Sequence, residues 1–232
     1  MPKMPTVKEL ETMGANLGHL RSLLHPTFRP FVKSIESRMV FIDLKKTIEQ
    51  LKKVENYLAK EKDSLVLWVG TKIVVKDLVK TIGEKLGHPY VAEKWLGGML
   101  TNFETLKKSL KRFEDLKEQE QTRAFREMTK KEKRIIQQNR ERLEKVLIGL
   151  KELKDLPKIM IVVDPVYEKS AVKEARRKGI KIIGLCDVTS DINKIDLAIP
   201  INDESRLSLE KILENLARVF DKKFSFKEKT KK

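Results

Sequence analysis

The strongest constraint on the fold of this chain is an alternation between short apolar runs and longer amphipathic stretches. Four runs rich in Val, Ile and Leu are each followed by a polar or glycine turn; they span residues 39–42, 65–69, 159–163 and 180–185. Short runs that are apolar throughout are typical of strands buried on both faces of a parallel sheet. A weaker run at 197–200 includes Pro200, which is tolerated at sheet edges, and it predicts an edge strand.

Amphipathic helices are predicted between these strands. Apolar residues recur every three or four positions, the spacing of one helix face, within residues 48–58, 74–86, 171–178 and 207–219. Gly87 and Gly179 follow two of these stretches, and glycine commonly ends a helix. Strands alternating with helices indicate a doubly wound parallel sheet with helices on both faces, so the predicted fold class is α/β.

The segment 101–156 breaks this alternation because it contains no strand-like run. Two narrow apolar stripes, at 103–116 and 136–150, flank a turn-like stretch at 119–129. They predict an inserted antiparallel coiled-coil hairpin, with Asn139 on the seam, where a polar residue can set register. The hairpin is either an arm with basic faces or a solvated helix pair without a specific partner, and its mixed charges leave both interpretations open.

Charge favours a polyanionic partner. The chain has 50 Lys and Arg against 34 Asp and Glu, a net charge of +16, and ends in a predicted basic tail at 225–232. Neutralising phosphates releases their condensed counterions, so such a chain favours nucleic acid. A merely soluble lysine-rich surface and an anionic membrane surface are the alternatives.

Cysteine usage and hydropathy predict a cytoplasmic protein. Cys186, the one cysteine, lies in an apolar run and is expected to fill space in the core. No run approaches the roughly 18 apolar residues of a membrane span, and residues 1–11 do not resemble a signal peptide. We therefore expect no membrane partner.

The sequence does not indicate an enzyme or a cofactor. Gly70-Thr71-Lys72 follows a strand, but a phosphate-binding loop needs a further glycine where Leu65 stands. Three aspartates, Asp43, Asp164 and Asp187, lie at predicted strand ends, where Asp is also common as a turn or cap residue. Three scattered histidines have no metal-site spacing, and no Gly-x-Ser-x-Gly occurs. A small-ligand or phosphate-binding α/β protein remains the alternative function.

One segment resembles a family signature. Pro89-Tyr90-Val91, followed by residues 95–103 with the sequence Trp-Leu-Gly-Gly-Met-Leu-Thr-Asn-Phe, is similar to the motif of the bacterial small-subunit ribosomal protein S2 family. Further similar stretches, in the same order, cover nearly the whole chain: Gly18-His19, Pro30-Phe31, Ile42-Asp43-Leu44, Val69-Gly70-Thr71-Lys72, Val162-Val163-Asp164-Pro165, Ala171-Val172-Lys173-Glu174-Ala175 and Asn202-Asp203.

This resemblance implies a flavodoxin-like sheet with a projecting coiled-coil hairpin. It implies a structural constituent of the small ribosomal subunit that braces ribosomal RNA (rRNA) between head and body. Its partners would be that rRNA, neighbouring small-subunit proteins and, in bacteria that have it, ribosomal protein S1. No small-molecule substrate, metal or cofactor is implied, and the protein would be ribosome-bound.

The chain departs from the family pattern at four places, which are Asn16, Leu24-His25, the turn Ser37-Arg38-Met39 and residues 187–192. We expect these changes to alter rRNA and partner contacts rather than the fold. Trp95 and Phe103 either pack the hairpin onto the sheet, the favoured interpretation, or stack on an exposed base.

Charge and position give the domain boundaries and the candidate RNA-binding residues. Residues 1–38 are expected to pack on the sheet domain and on rRNA, residues 39–103 and 157–224 to form the sheet domain, and 104–156 the hairpin. Folded RNA is recognised largely through its backbone, so distributed side chains are expected to bind it. The candidates are His19, Arg21, Arg29, Lys33, Arg38, Lys45, Lys72, Lys94, Asn102, Lys107, Lys108, Lys111 and Arg112.

Overall fold

The computed structural model describes residues 4–226, with the backbone alone at residue 124. Its strands are β1 Leu17–Leu20, β2 Val32–Glu36, β3 Met39–Ile42, β4 Val66–Val69, β5 Tyr90–Val91, β6 Ile159–Val163, β7 Lys181–Cys186 and β8 Leu197–Pro200. Its helices are α1 Val7–Thr12, α2 Leu44–Lys60, α3 Lys76–Leu86, α4 Phe103–Gln119, α5 Arg123–Glu127, α6 Lys130–Leu147, α7 Lys169–Arg177 and α8 Arg206–Phe220. Among the described residues, no helix combines the length and apolarity needed to cross a bilayer.

A five-stranded parallel sheet forms the centre, with strand order β5-β4-β6-β7-β8. Strands β4 and β6 are buried along their whole length, as continuous apolar runs require. Alternate side chains enter two separate cores. Val66 and Trp68 contact the core formed with α2, α3 and α8, whereas Leu67 and Val69 face the core formed with α7 and the base of the hairpin. The α/β doubly wound prediction is confirmed, and β8 is an edge strand as predicted.

The prediction that residues 39–42 form a strand of the parallel sheet is wrong. Strand β3 instead lies between β1 and β2 in a separate antiparallel sheet. The two-residue turn Ser37-Arg38 returns the chain directly from β2 to β3, which an antiparallel pair allows and a parallel pair does not. Apolar content over four residues could not separate these two arrangements.

The two long helices of the inserted segment, α4 and α6, contact each other, and the short helix α5 lies in the connection between them. A capping box starts α6, since the Thr129 hydroxyl accepts from the Glu132 amide while the Glu132 carboxylate accepts from the Thr129 amide. The Asn139 side chain is exposed and lines the groove between α4 and α6, so its role in setting the register of the hairpin stays a prediction. The next residue, Arg140, is only 21% exposed and donates to Glu120 at the end of α4, at 2.9 Å.

Glycine ends helices where expected, and the cysteine is internal. Gly87 and Gly179 have φ of +66° and +68°, a conformation that glycine adopts without a steric cost. Cys186 is fully buried as a free thiol, which confirms that it fills the core. Near the end of the described residues Phe224 is buried, and Phe226 packs against the same core. Residues 227–232 of the predicted tail lie outside the described residues.

Two of the segments that depart from the family pattern contact each other. The amide of His25 donates to the carbonyl oxygen of Val188 at 2.8 Å. Nearby, the amide of Ile192 donates to the hydroxyl of Thr27 at 3.0 Å. Val188 is buried against Gly18, where a Cβ atom would lie 2.6 Å from the Val188 Cγ1. The departures at 24–25 and 187–192 therefore form one packing unit that holds β1 against the end of β7.

Candidate RNA-binding surfaces

The first surface lies around the antiparallel sheet and is called here the N-terminal basic surface. It consists of five exposed cationic side chains, Arg21, Arg29, Lys33, Arg38 and Lys45. None of the five takes part in an ion pair within the described residues. Their charges are therefore left for an external anion.

The backbone brings these side chains together in pairs. The amide of Arg21 donates to the carbonyl oxygen of Arg38 at 2.8 Å, which places the two residues side by side at one end of the sheet. Lys33 and Lys45 line one small depression of about 160 Å³. In the turn itself, Ser37 and Arg38 have φ of +47° and +70°. Two positive φ angles are expected of a tight two-residue hairpin turn, and non-glycine residues adopt them at a cost.

The second surface surrounds the signature loop, residues 95–102, which wraps around one buried carboxylate. Glu174 of α7 accepts from the Trp95 indole at 3.0 Å, from three backbone amides of the loop at 2.8 to 3.1 Å, and from the Thr101 hydroxyl at 3.0 Å. Burial by itself raises the pKa of Glu174, but these hydrogen bonds stabilise its charged form and bring the pKa below its usual value. The carboxylate thus fixes the loop in one conformation.

The aromatic residues of the signature pack rather than project. Phe103 is buried in the core beneath the hairpin, and Trp95 lies against the same core while its indole nitrogen donates to Glu174. Gly98, which has φ of +94°, gives the loop its turn. This arrangement supports the interpretation that both aromatics attach the hairpin to the sheet.

A groove of about 450 Å³ runs between this loop and the two helices of the hairpin. Apolar side chains of α4 and α6 form part of its lining. Its polar lining consists of Asn102, Thr105, Ser109, Arg112, Asn139 and Arg142. A groove with hydroxyl, amide and guanidinium groups matches the hydrogen-bonding groups of an RNA backbone, its phosphates and 2′-hydroxyls.

Exposed lysines and an arginine extend this groove along α4; with Lys94 they are called here the hairpin basic surface. Its members are Lys94, Lys107, Lys108, Lys111 and Arg112. Lys107 is the one partly engaged, since its Nζ lies 3.7 Å from a Glu104 oxygen and 5.0 Å from the centre of the Phe103 ring. Asn102, at the end of the loop, is exposed and accepts from the Thr105 hydroxyl.

Two of the thirteen candidates face inward instead. Lys72 donates to Asp203 at 2.7 Å and pairs with Asp164. Burial lowers the tendency of Lys72 to be charged, but these two carboxylates raise its pKa. His19 lies with its Nε2 3.2 Å from Asp187. Neither side chain is placed for a phosphate on the outer surface.

The turn after β4 is also closed to phosphate. The amide and hydroxyl of Thr71 both donate to the carboxylate of Glu168, at 2.7 and 2.6 Å. A Cβ atom at Gly70 would lie 2.9 Å from Val75, so this glycine is required for packing and not for a phosphate cradle. An anionic ligand would meet a carboxylate where it needs a donor, which disfavours the small-ligand alternative at this turn.

Sequence reasoning missed Glu174, Arg142 and strands β1, β2 and β5. Glu174 had a detectable signal, because it lies three residues after Ala171 and therefore on the buried face of α7. A glutamate on such a face needs partners. Arg142 lies on α6, across the groove from α4. Its place beside Arg112 follows from the pairing of these two helices and not from its position in the sequence. Strand β5 has two residues, too few for a pattern.

Comparison with known proteins agrees with these features. The sequence model of the family described as "Ribosomal protein S2" matches residues 10–222. The chain is 39% identical over 215 residues to "Small ribosomal subunit protein uS2" of Thermus thermophilus, an alignment that spans 92% of this chain and 84% of that protein. It is 35% identical over 216 residues to the protein of the same name from a Nitratiruptor species, which covers 92% of this chain and 81% of that protein. With one family model spanning residues 10–222 and two relatives covering most of its length, this chain belongs to the ribosomal protein S2 family.

Proposed function

We propose that this chain braces the small ribosomal subunit by binding rRNA through the N-terminal basic surface and the hairpin basic surface. Membership of the ribosomal protein S2 family makes it a structural ribosomal protein and not an enzyme. That membership also supports a ribosome-bound location. The observation that carries the RNA-binding proposal is the set of exposed cations on both surfaces, of which Lys107 alone has an ion-pair partner, Glu104, within the described residues.

The two surfaces suit different parts of a folded RNA. The N-terminal basic surface is formed by short strands and a tight turn, so its arginines are held at fixed positions and can bind phosphates bidentately. The hairpin basic surface runs along one helix and continues into a groove whose walls carry both apolar and hydrogen-bonding side chains. Such a surface can follow a backbone over several nucleotides. Together they would hold two RNA segments at a fixed separation, which is the action of a brace.

A sucrose gradient of a cell lysate tests the ribosomal assignment. We expect the chain to sediment with small subunits and assembled ribosomes, but not with free large subunits. A chain found solely at the top of the gradient, even at low salt, would contradict it.

Charge reversal tests the proposed surfaces. Lys108→Glu and Arg38→Glu should each weaken binding to small-subunit rRNA, and each should reduce the slope of log affinity against log salt by about one, since one phosphate contact releases about one counterion. Lys62→Glu is the matched control, because Lys62 is an exposed lysine before β4, where the parallel strands begin. Equal affinity and slope in Lys108→Glu and Lys62→Glu would remove Lys108 from the surface.

A protein partner is proposed at a different place. Four large apolar side chains are exposed on the turns after β4 and β6 and at the start of α8: Ile73, Val166, Tyr167 and Leu207. Exposed apolar groups at one edge are typical of protein contact sites. We propose that a neighbouring small-subunit protein binds here, with ribosomal protein S1 as the candidate that the family resemblance suggests. Ile73→Asp should reduce capture of purified S1, whereas Ile135→Asp, at an exposed position of the hairpin, should not.

A further inference from the structure

The groove beside the signature loop has a floor that an RNA backbone alone would not match. Six of its lining side chains are apolar: Leu96, Met99, Leu106, Leu143, Val146 and Leu147. Met99, Leu106 and Leu147 are buried and form the floor, whereas Leu96 is 40% exposed at the rim. A phosphate or ribose laid over such a floor would lose water without gaining a partner. The groove therefore suits a ligand that has an apolar face of its own.

The charged groups of the groove favour an anion. None of the described side chains that line it is a carboxylate. Arg112 of α4 and Arg142 of α6 are exposed, and neither takes part in an ion pair within the described residues. Because α4 runs away from the loop and α6 returns, both arginines lie toward the end of the groove that is far from the loop. Two guanidinium groups in this arrangement can bind one phosphate.

Two amide side chains in the groove keep hydrogen-bonding groups for a ligand. Asn102 accepts from the Thr105 hydroxyl at 2.8 Å through its carbonyl oxygen, which leaves its amide nitrogen to donate. Asn139 is exposed, beside the arginines. An amide carries a donor and an acceptor side by side, and adenine has the complementary pair on its edge. Asparagine is accordingly a residue that recognises adenine.

The groove has the size of a site for one nucleotide and is formed before a ligand binds. Its volume of about 450 Å³ lies within the range of about 300 to 1,000 Å³ for sites that enclose a small molecule. From Thr105 to Arg112 it follows α4 for about 10 Å. Glu174 holds the loop on one side, and Arg140 ties α6 to Glu120 at the end of α4. Walls that are already fixed reduce the entropy lost on binding.

We propose that this groove binds one unpaired adenine nucleotide of rRNA, with the base on the apolar floor and the phosphate between Arg112 and Arg142. The inference rests on the proposed RNA-binding function and adds to it the recognition of a single base. With the phosphate held at the arginine end, the base enters with its Watson–Crick edge innermost, where the amide nitrogen of Asn102 can donate to adenine N1. Unstacked bases in loops and bulges are the parts of a folded RNA that proteins read by sequence.

Dimethyl sulfate, which methylates N1 of unpaired adenines, tests the site on complexes of the full chain with small-subunit rRNA. We expect the parent to protect an adenine that reacts in the free RNA. Asn139→Trp fills the groove and should return that adenine to the reactivity seen in free RNA. Gln138→Trp is the matched control, because Gln138 is the preceding amide residue of α6, is also exposed and does not line the groove. Its protection should equal that of the parent.

Folding is measured on the same samples by thermal melting. Both tryptophan variants replace exposed side chains, so their melting temperatures should match that of the parent. Asn102→Ala gives a second variant should Asn139→Trp fail to fold, since it removes the donor to the base without filling the groove. It should lose protection of the same adenine while contacts of the N-terminal basic surface persist.

The outcomes separate this inference from the proposed function. A parent chain that does not bind small-subunit rRNA would overturn both. A parent that binds it, but protects no adenine in a way that depends on Asn139 or Asn102, would overturn the base contact alone. Loss of hydroxyl-radical protection of the RNA backbone in Asn139→Trp, with no change at any base, would do the same. If Asn139→Trp instead abolishes capture of a neighbouring small-subunit protein and leaves the rRNA footprint unchanged, the groove binds protein and the nucleotide is excluded.

Discussion

The carboxylate of Glu174 lies 3.0 Å from the indole nitrogen of Trp95 and accepts from the backbone of the same loop. This contact joins α7, which packs on the parallel sheet, to the loop that leads into the hairpin. The hairpin basic surface therefore takes its orientation from one buried side chain. A buried glutamate that belongs to neither basic surface thus helps to position the helix that carries the α4 lysines.

Replacing Glu174 by Gln should destabilise the protein and free the loop. The amide keeps one carbonyl acceptor and brings two donors toward other donors, so a loss of about 2 to 4 kcal/mol of unfolding free energy is expected. Urea denaturation at pH 7 measures it, with Glu152→Gln, at an exposed position, as the control. Because the pKa of Glu174 is lowered in the folded state, its contribution is present above pH 4.5 and is lost as pH falls through the folded pKa. Equal stability of the two variants would contradict this account.

Replacing both residues of the turn Ser37-Arg38 should stabilise the protein and weaken its binding to RNA. Both residues have positive φ, which Asn and Gly adopt more readily. Ser37→Asn with Arg38→Gly should raise the unfolding free energy by about 1 kcal/mol or more, as measured by thermal melting. The same double variant should bind rRNA more weakly, since Arg38 is lost, whereas Ser37→Asn alone should keep its affinity. Unchanged RNA affinity in the double variant would exclude Arg38 from the N-terminal basic surface.

Any side chain at position 149 should destabilise the protein, because Tyr90 packs directly against Gly149. A Cβ atom at Gly149 would lie 2.3 Å from the Tyr90 carbonyl oxygen and 2.7 Å from its ring. Gly149→Ala should therefore cost about 1 to 3 kcal/mol through displaced backbone. Gly97→Ala is the control, because a Cβ there meets no atom of the described residues within 4 Å. Denaturant midpoints that do not separate the two variants would show that the turn after α6 moves freely away from Tyr90.

His88 should make stability fall in mild acid. Its ring accepts from the indole of Trp68 at 3.1 Å, and burial lowers its pKa below 6.5. A base with a lowered folded pKa stays neutral while the unfolded chain takes up a proton, so stability decreases as pH falls below 6.5 toward the folded pKa. The slope attributable to His88 reaches at most about 1.4 kcal/mol per pH unit. Urea unfolding from pH 8 to pH 5 should show a smaller slope in His88→Gln, which keeps an acceptor for Trp68, and identical slopes would rule His88 out.

The parallel sheet could be predicted because its strands are apolar without interruption. β4 and β6 are buried along their whole length and β7 is buried from Ile182 onward, so nearly every residue of these three strands carries the same signal. The antiparallel sheet gives no such signal. β1 is exposed or half-exposed along its length, and β3 buries alternate residues only. Its pairing depends on the turn at Ser37-Arg38, which lacks the usual Asn-Gly sequence.

The sequence shows which residues are basic, but it does not show which of their side chains are exposed and which are paired inside the protein. Lys108 and Lys72 are equally basic in the sequence, yet one is exposed and the other is held between Asp164 and Asp203. Those aspartates are 92 and 131 positions away from Lys72 in the chain, and their proximity follows from strand order. Asn139 and Arg140 differ similarly, since one step along a helix turns a side chain by about 100°.

The hairpin also bears on how fast the sheet can assemble. β4 pairs with β6, residue 66 with residue 159, so the central ladder forms across a long intervening segment. Closing a loop of that length costs entropy and slows folding. The pairing of α4 with α6 does not depend on β4 or β6. Once paired, the two helices bring Leu106 and Leu147 together in one core. We expect the pairing of α4 with α6 to bring the two ends of this segment close together early in folding, and so to speed the pairing of β6 with β4.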